Sequence, residues 1–309
     1  MTLRTESHAR TAERAAGRVH ELFNAAWALA SVSSYLTSGR LTESQARVLG
    51  AVGLADPAEG GWSPGPGLRE LAAGSDPIGL TLPHHFHQMA AVAAGGRSQD
   101  VAADAAGESE GAEGMARRLV DHVVARLAGL ADRLQAEGAA ALDGRAGNGR
   151  MLAAFGRLMP TLSLTAFEPY PEQVARAAQA LSAAGVADRV ELRRGELTGL
   201  DDRERYDLAH LPVMLTSPAS MAEAPRRIFR ALRPGGWLVA MLVSLSGDEL
   251  DDAVIRWRVA EQGGTVTSPE EFAQRLGEAG FDPVLPLGDT PVPLIAAQRP
   301  MSRPTQNRR

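Results

Sequence analysis

The 309-residue chain has a formal net charge of −5, a pI near 5.9 and 44% hydrophobic residues, which suits two domains or one large domain with an appendage. It contains no cysteine, and all 32 of its basic residues are arginine, which excludes thiolate nucleophiles, disulfides, thiolate metal sites and Schiff-base lysines. There is no basic stripe, so we expect no nucleic acid partner.

The amino-terminal residues are polar and of mixed charge. No apolar run reaches the roughly 18 residues that cross a bilayer, and no signal-peptide pattern is present. We therefore expect a cytoplasmic protein that does not contact a membrane.

The first elements are predicted to be helices. Between residues 10 and 56, apolar residues recur at helical spacing, and Thr42 is a residue type suited to the N-cap of a helix. Residues 55–70 are rich in proline and glycine, which predicts a loop. A further helix is predicted over Pro83 to Ala94, so the amino-terminal region is expected to be all-helical.

The stretch from Gly95 to Gly114 is small, polar and acidic, which predicts a flexible linker. The next segment, 115–134, has helical spacing. We therefore expect a helical amino-terminal region at 1–115 that includes a linker at 95–114. A second domain is expected at 116–300 and a disordered tail at 301–309.

From residue 139 onward, short apolar runs alternate with amphipathic stretches. Strands are predicted at "AAALD", "LSLTAFEP", "RVELRRGE", "YDLAHLP", "GWLVAMLVS", "FDPVLPLG" and "PLIAAQRP". Strands that alternate with helices of about 10–15 residues indicate βαβ units and a parallel sheet. The predicted fold class is therefore α/β.

The order of motifs in this region resembles class I S-adenosylmethionine (SAM)-dependent methyltransferases. The resemblance is carried by "ALDGRAGNG", "LTAFEP", "RVELRRGEL", "YDLAHLPV", "ALRPGGWLVA" and "EAGFDPV". It implies a doubly wound, Rossmann-like sheet that binds SAM. The preceding helical region is similar to the dimerisation and substrate-cap region of small-molecule O-methyltransferases, which implies a homodimer formed by the amino-terminal helices.

The resemblance also implies which residues contact the cofactor. Ligands bind beyond the carboxyl ends of the strands in such sheets, and the amides of the first turn would meet the polar end of the cofactor. Glu168 would accept hydrogen bonds from the ribose hydroxyls, and Glu196 would lie near the adenine edge. The full implied set is Asp143, Gly144, Arg145, Gly147, Gly149, Glu168, Pro169, Glu196, Leu197 and Leu211.

Arg145 departs from the family pattern, which has a glycine at this position. Glycine tolerates a positive φ and a close ligand, whereas a left-handed L-residue costs ~1–2 kcal/mol. The arginine side chain could also fill the methionine end of the pocket. Alternatively, Gly144 makes the turn, or Arg145 swings outward or pairs with the carboxylate of the cofactor.

The candidate catalytic groups are histidines. His84 and His87 share one face of a predicted helix, and His210 lies in a predicted strand. Any of them could take a proton from a substrate hydroxyl, and all three could instead be structural. No third ligand accompanies the paired histidines, so no metal site is expected.

Three hypotheses follow from these patterns. The first is a SAM-dependent methyltransferase that O-methylates a small molecule in secondary metabolism. The second is a methyltransferase-like protein that has lost methyl transfer and catalyses a rearrangement, cyclisation or hydrolysis in the same cavity. The third is a non-catalytic dimeric partner.

Overall fold

The computed structural model describes residues 2–73, 77–96, 113–288 and 292–301, apart from residues 115 and 118. The chain divides into two compact units, Met1–Glu108 and Ser109–Arg309. The predicted linker at 95–114 and the predicted tail at 301–309 lie largely outside the described residues. Within the described ranges, no helix is long and apolar enough to cross a membrane.

The amino-terminal unit is helical as predicted, except for a two-stranded sheet that an all-helical region would not contain. Its described elements are α1 Thr2–Ser38, α2 Glu43–Ala51, β1 Ala55–Ala58, β2 Gly61–Pro64, α3 Pro66–Ala72 and α4 Pro77–Ala93. Thr42 is the N-cap of α2, and it forms a capping box with Gln45 in which each side chain accepts a hydrogen bond from the other residue's backbone N–H. The sequence signal for the start of this helix is therefore confirmed.

The loop prediction for residues 55–70 is wrong. β1 and β2 form an antiparallel hairpin, and α3 begins at Pro66. Gly60 has a φ of +87°, the kind of positive angle that a tight hairpin turn requires. Pro66 is tolerated at the helix start because the N–H it lacks would have had no partner within the helix. The glycines and proline that indicated a loop thus shape regular elements.

A small core joins the elements of this unit. Its buried members come from α1, α2, β1, α3 and α4 and are Val32, Leu49, Ala55, Leu68 and Leu82. Because each of these elements contributes an apolar side chain, burying them together stabilises the unit as a whole.

The helix prediction for 115–134 is only partly right. A π-helical turn at Leu119–Val123 and a 3₁₀ turn at Val124–Arg126 precede α5 at Leu130–Gln135. Gly129 has a φ of +71°, a left-handed conformation that interrupts a helix. The apolar side chains of the segment still pack into the core of the carboxyl-terminal unit, which explains its helical spacing.

A seven-stranded sheet forms the centre of the carboxyl-terminal unit. Its strands are β3 Ala140–Asp143, β4 Ser163–Glu168, β5 Val190–Arg194, β6 Tyr206–Pro212, β7 Leu232–Met241, β8 Val284–Leu287 and β9 Leu294–Gln298. Their order is β5-β4-β3-β6-β7-β9-β8. Strands β3 to β7 run parallel, whereas β9 pairs antiparallel with β7 and with β8. Each predicted strand is present.

Helices cover both faces of this sheet. They are α6 Arg150–Leu158, α7 Pro171–Ala183, α8 Pro218–Ala231, α9 Glu249–Glu261 and α10 Pro269–Glu278. Side chains alternate along β3, so Ala141 packs into the cluster that includes α6. Ala140 and Leu142 pack into the cluster that includes α8 and α10. The predicted doubly wound α/β fold is confirmed.

The strand order reverses beside β3. The chain runs from β3 outward to β4 and β5, and then returns to β6 on the other side. Such a reversal opens a crevice at the carboxyl ends of the strands. Asp143 at the end of β3 lies opposite Ala166 in β4 and His210 in β6. Of the predicted site residues, Asp143 and His210 therefore meet at this edge of the sheet.

Candidate functional site

Asp143 organises the turn between β3 and α6. Its Oδ1 accepts a hydrogen bond from the backbone N–H of Arg145 at 3.1 Å and lies 3.3 Å from Nδ1 of His210. The backbone N–H of Gly144 donates to the carbonyl oxygen of His210 at 2.8 Å. An ionised carboxylate can only accept, so this contact favours the His210 tautomer with its proton on Nδ1.

Gly147 and Gly149 supply the left-handed positions of the turn, with φ angles of +55° and +76°. At Gly149 a Cβ atom would lie 2.6 Å from Cα of Ala177, so the start of α6 closely approaches α7. The backbone N–H of Ala146 donates to the carbonyl oxygen of Phe167 at 2.8 Å, which ties the turn to β4. The turn is thus fixed by its backbone.

Arg145 does not carry the backbone strain that a left-handed residue would have. Among the described residues, Glu204 is the one non-glycine residue with a positive φ, and Gly144 also lacks a positive φ. Gly144 does not replace the missing glycine of the turn. A Cβ there would lie 3.1 Å from Leu197 and 3.2 Å from Leu211, so its role is to allow close packing. The turn accepts an arginine at 145 without strain because the left-handed angles lie further along.

The carboxylate of Glu168 ends β4 and is fully buried, with 0% of its side chain exposed. Its Oε2 accepts hydrogen bonds from the backbone N–H of Gly147 at 2.8 Å and from Nε of Arg145 at 2.9 Å. Its Oε1 accepts a hydrogen bond from the backbone N–H of Tyr170 at 3.0 Å. Glu168 is the residue expected to bind the ribose, and both of its carboxylate oxygens already accept hydrogen bonds from the protein.

The Arg145 side chain lies between three groups and is 11% exposed. Besides its ion pair with Glu168, it donates from Nη1 to the carbonyl oxygen of Leu215 at 2.7 Å. Its guanidinium carbon lies 4.8 Å from the centre of the Tyr170 ring, a cation–π distance. The sequence analysis considered Arg145 in the methionine end of the pocket, turned outward, or paired with the carboxylate of the cofactor; in the structure its partners are Glu168, Leu215 and Tyr170. The guanidinium pairs with the carboxylate of Glu168, the group expected to bind the ribose of the cofactor.

The charge of Arg145 acts on two carboxylates. Burial raises the pKa of Glu168 above its ordinary value, and the charge and hydrogen bonds of Arg145 partly offset that rise. Hydrogen bonds from Ser217 and Ser220 lower the pKa of Glu196, and the charge of Arg145 lowers it further. The charge of Arg145 thus favours the ionised form of both Glu168 and Glu196, the two carboxylates expected to bind a nucleoside.

Glu196 is held at the start of α8. Its Oε2 accepts hydrogen bonds from the hydroxyls of Ser217 at 2.5 Å and Ser220 at 2.7 Å. Ser217 is also the N-cap of α8 and accepts a hydrogen bond from the backbone N–H of Ser220. This carboxylate is therefore fixed by the protein before any ligand arrives.

Sequence reasoning missed several residues of the site. Ser217 precedes Pro218, and a capping residue before a proline at the first helical position is a recognisable helix start. Tyr170 and Leu215 gave no comparable signal, because their contacts with Arg145 depend on how distant segments meet.

Three other predicted cofactor residues lie beside the turn or beside Glu168. Leu197 and Leu211 are buried against Gly144, and Pro169 is half-buried beside Glu168.

His210 borders a mostly apolar cavity on the α6 side of the sheet. The cavity is small: its enclosed space is about enough for one water molecule, and the rest of the empty space is open to solvent. Its other lining side chains include Asp143, Leu119, Met151 and Phe155. The structure therefore brings His210 together with Asp143 beside a small, mostly apolar space.

The other two histidines lie in the amino-terminal unit. His87 is exposed in α4, and His84 belongs to the same helix, although its side chain lies outside the described residues. Between them, Nδ1 of His85 lies 3.0 Å from Oε1 of Gln88. The catalytic roles of His84 and His87 stay predictions.

The backbone of this site has the conformation expected for binding a nucleoside cofactor, but the Glu168 carboxylate is already occupied by Arg145. The end of β3, the left-handed glycines and the buried Glu168 form the expected cradle. A ribose, however, needs free acceptor positions on Glu168, and Arg145 lies on that carboxylate. In this conformation the residues do not fit a bound ribose.

Comparison with known proteins supplies independent information. Residues 112–285 match the profile of a family described as methyltransferase domains. The match includes the turn after β3, Glu168, Glu196 and His210. No curated protein matches the chain.

Solved structures resemble the whole chain. An O-methyltransferase family protein from Burkholderia thailandensis is 16% identical with a TM-score of 0.59, over 93% of this chain and 99% of that one. PigF with SAH (S-adenosylhomocysteine) is 21% identical with a TM-score of 0.54, over 93% and 99%. The mitomycin 7-O-methyltransferase MmcR is 20% identical with a TM-score of 0.51, over 94% and 99%. At these identities the likeness shows a shared fold.

Proposed function

Because the chain belongs to the family of methyltransferase domains, we propose that it transfers a methyl group from SAM to a small molecule, as an O-methyltransferase of secondary metabolism. The observation that carries this proposal is the family match across the turn and strand ends that form the site. Family membership supports SAM as the cofactor. The small-molecule acceptor and the oxygen target are our proposal.

When bound, SAM supplies a methyl group on a positively charged sulfur that is already strongly electrophilic. The protein then needs mainly to hold the acceptor in line and to exclude water. The small space beside His210 is lined largely by apolar side chains, which favours an apolar part of an acceptor over a charged one.

We propose His210 as the base that takes the proton from the acceptor hydroxyl. Asp143 accepts from Nδ1, so Nε2 keeps a lone pair for a substrate proton. Asp143 would fix the orientation of the imidazole through this contact. The alternative bases predicted from the sequence are His84 and His87, both in α4.

We also propose that the protein acts as a homodimer through its amino-terminal helices. The described part of α1 exposes a row of large apolar side chains, namely Val19, Leu22, Phe23, Trp27 and Leu29. Such a row on a single helix is a typical contact surface for a second copy. The cytoplasmic location stays a prediction.

Transfer of a radioactive methyl group tests the proposed function. The protein is incubated with methyl-labelled SAM and a panel of phenols and other hydroxylated small molecules, and label is measured in the extracted acceptor. We expect transfer by the wild type and by Arg157→Ala, a substitution at a side chain that is 48% exposed. Glu168→Ala should abolish transfer.

A second candidate function is a different reaction on the same fold, without methyl transfer. The observation that favours it is the ion pair of Arg145 with Glu168. No calorimetric signal with SAM at millimolar concentration, together with no labelled acceptor, would replace the first proposal with this one.

A further inference from the structure

We propose that Arg145 is an internal competitor for the cofactor: its guanidinium occupies the ribose position on Glu168, and cofactor binds only when this side chain moves away. The inference rests on the proposed function, because it concerns the affinity of the same site for SAM. It assigns to Arg145 the role of setting that affinity.

The competition follows from the contacts of Glu168. A carboxylate has about four acceptor positions, and this one already serves Arg145, Gly147 and Tyr170. Two backbone donors are fixed by the fold. The bond from Arg145 is the one that a side-chain rotation can release, so a ribose diol needs that bond to open.

We call the position in which Arg145 pairs with Glu168 the closed position, and more than one contact favours it. Arg145 also donates to the carbonyl oxygen of Leu215 and stacks over Tyr170. A charge-assisted bond to a carboxylate is stronger than a bond from a neutral hydroxyl. Exchanging the guanidinium for a ribose therefore weakens the net binding of the cofactor.

The closed position also requires no strained backbone angle at Arg145. Arg145 has no positive φ, and Asp143 accepts its backbone N–H. Removal of the side chain should therefore leave the turn in place. The effect of a substitution on ligand affinity then reports the side chain rather than a rearranged loop.

Population arithmetic gives the expected size of the effect. The apparent dissociation constant equals the intrinsic one divided by the fraction of open molecules. If at most about one molecule in ten is open, Arg145→Gly tightens binding at least about tenfold. Arg145→Ala should act in the same direction, since it also removes the guanidinium.

Isothermal titration with S-adenosylhomocysteine tests the proposal. The proteins are wild type, Arg145→Gly, Arg145→Ala and Arg157→Ala, with folding checked by circular dichroism. Arg157 lies on α6 and pairs with Glu113 at the surface, so its substitution removes one positive charge outside the site. We expect tighter binding for both Arg145 variants and unchanged binding for Arg157→Ala.

A double-mutant cycle on ligand affinity separates competition for Glu168 from a purely steric effect of the Arg145 side chain. In the Arg145→Gly background, Glu168→Gln removes the acceptor of the ribose and should weaken binding strongly. In wild type, the same substitution also loosens the hold on Arg145, so the loss should be smaller. Equal losses in the two backgrounds would contradict competition for this carboxylate.

The remaining outcomes are decisive as well. Wild-type affinity equal to or tighter than that of Arg145→Gly overturns the inference and leaves the proposed function standing. If folded wild type and Arg145→Gly both fail to bind, the inference is overturned together with the cofactor part of the proposed function.

Discussion

At the scale of single residues, the pair of Arg145 and Glu168 dominates the site. Glu168 has 0% of its side chain exposed, so its charge relies on the cation beside it. Removing one partner of a buried ion pair leaves an uncompensated charge and typically costs about 3–5 kcal/mol. The pair therefore stabilises the folded state relative to either single variant, although two matched apolar residues could do as well.

Substitutions of Arg145 should therefore lower the stability of the folded state. Urea denaturation at neutral pH should show Arg145→Ala less stable than wild type by about 3–5 kcal/mol. Arg157→Ala, which breaks a surface pair, should lose only about 0–1 kcal/mol. Adding Glu168→Gln to Arg145→Ala should restore part of the loss. Equal stability of the two single arginine variants would show that the buried pair contributes no more than a surface pair.

The raised pKa of Glu168 gives a second prediction. Burial raises the folded pKa above the ordinary value of 4.5, against the opposing charge of Arg145. The folded state then holds the proton more tightly than the unfolded state. The contribution of Glu168 to stability is therefore fully present below the unfolded pKa and is lost as pH rises through the folded pKa.

Denaturation series of wild type and Glu168→Gln isolate this contribution. The free energy of unfolding of wild type, measured relative to that of Glu168→Gln, should fall as pH rises above about 4.5. In Arg145→Ala the fall should extend to higher pH, because the opposing charge is gone. A parallel pH dependence in wild type and Glu168→Gln would rule out the raised pKa.

Sequence alone predicted where these residues lie but not what they contact. Asp143 and Glu168 end adjacent parallel strands, so their meeting at one edge follows from the strand pattern. The direction of the Arg145 side chain depends on Leu215 and Tyr170, which folding brings together from other segments. Strand and helix patterns carry no information about that choice.

At the scale of elements, the contact between α6 and α7 depends on Gly149. Both Gly147 and Gly149 are left-handed, so alanine at either position costs ~1–2 kcal/mol in backbone strain. A Cβ at Gly149 would also lie 2.6 Å from Cα of Ala177, whereas a Cβ at Gly147 meets no atom within 4 Å. Gly149→Ala therefore forces α6 and α7 apart, and Gly147→Ala does not.

Chemical denaturation of the two glycine variants checks this difference. Gly149→Ala should lose distinctly more stability than Gly147→Ala, which serves as the matched control for backbone strain. Equal losses would mean that the helices adjust to the extra methyl group without cost.

The elements that sequence predicted correctly are those with a strong period. Every strand of the seven-stranded sheet was predicted, because most are apolar runs between turn residues and β5 alternates apolar with charged residues. The failures at 55–70 and 115–134 have local causes. Gly60 shapes a hairpin turn and Gly129 interrupts a helix, and composition alone does not show which role a glycine takes.

At the scale of the whole molecule, the exposed face of α1 predicts self-association. Phe23 and Trp27 form an edge-to-face pair and are 58% and 61% exposed. Sedimentation velocity at micromolar concentration should show a dimer for wild type. The double substitution of Phe23→Glu and Trp27→Glu should give a monomer.

Trp257→Glu is the matched control, since Trp257 is 52% exposed on a helix of the other unit. It should leave the dimer intact. A monomeric wild type, or a dimer that survives the double substitution, would remove α1 as the contact surface.

At the scale of the whole molecule, our central proposal is that SAM binds at the carboxyl edge of the sheet, with its ribose on Glu168 in place of Arg145. A crystal structure of the full chain with S-adenosylhomocysteine tests this claim most directly. The account predicts ribose hydroxyls within hydrogen-bond distance of Glu168 and the Arg145 guanidinium displaced from it. A bound ligand elsewhere, with the ion pair of Arg145 and Glu168 intact, would contradict it.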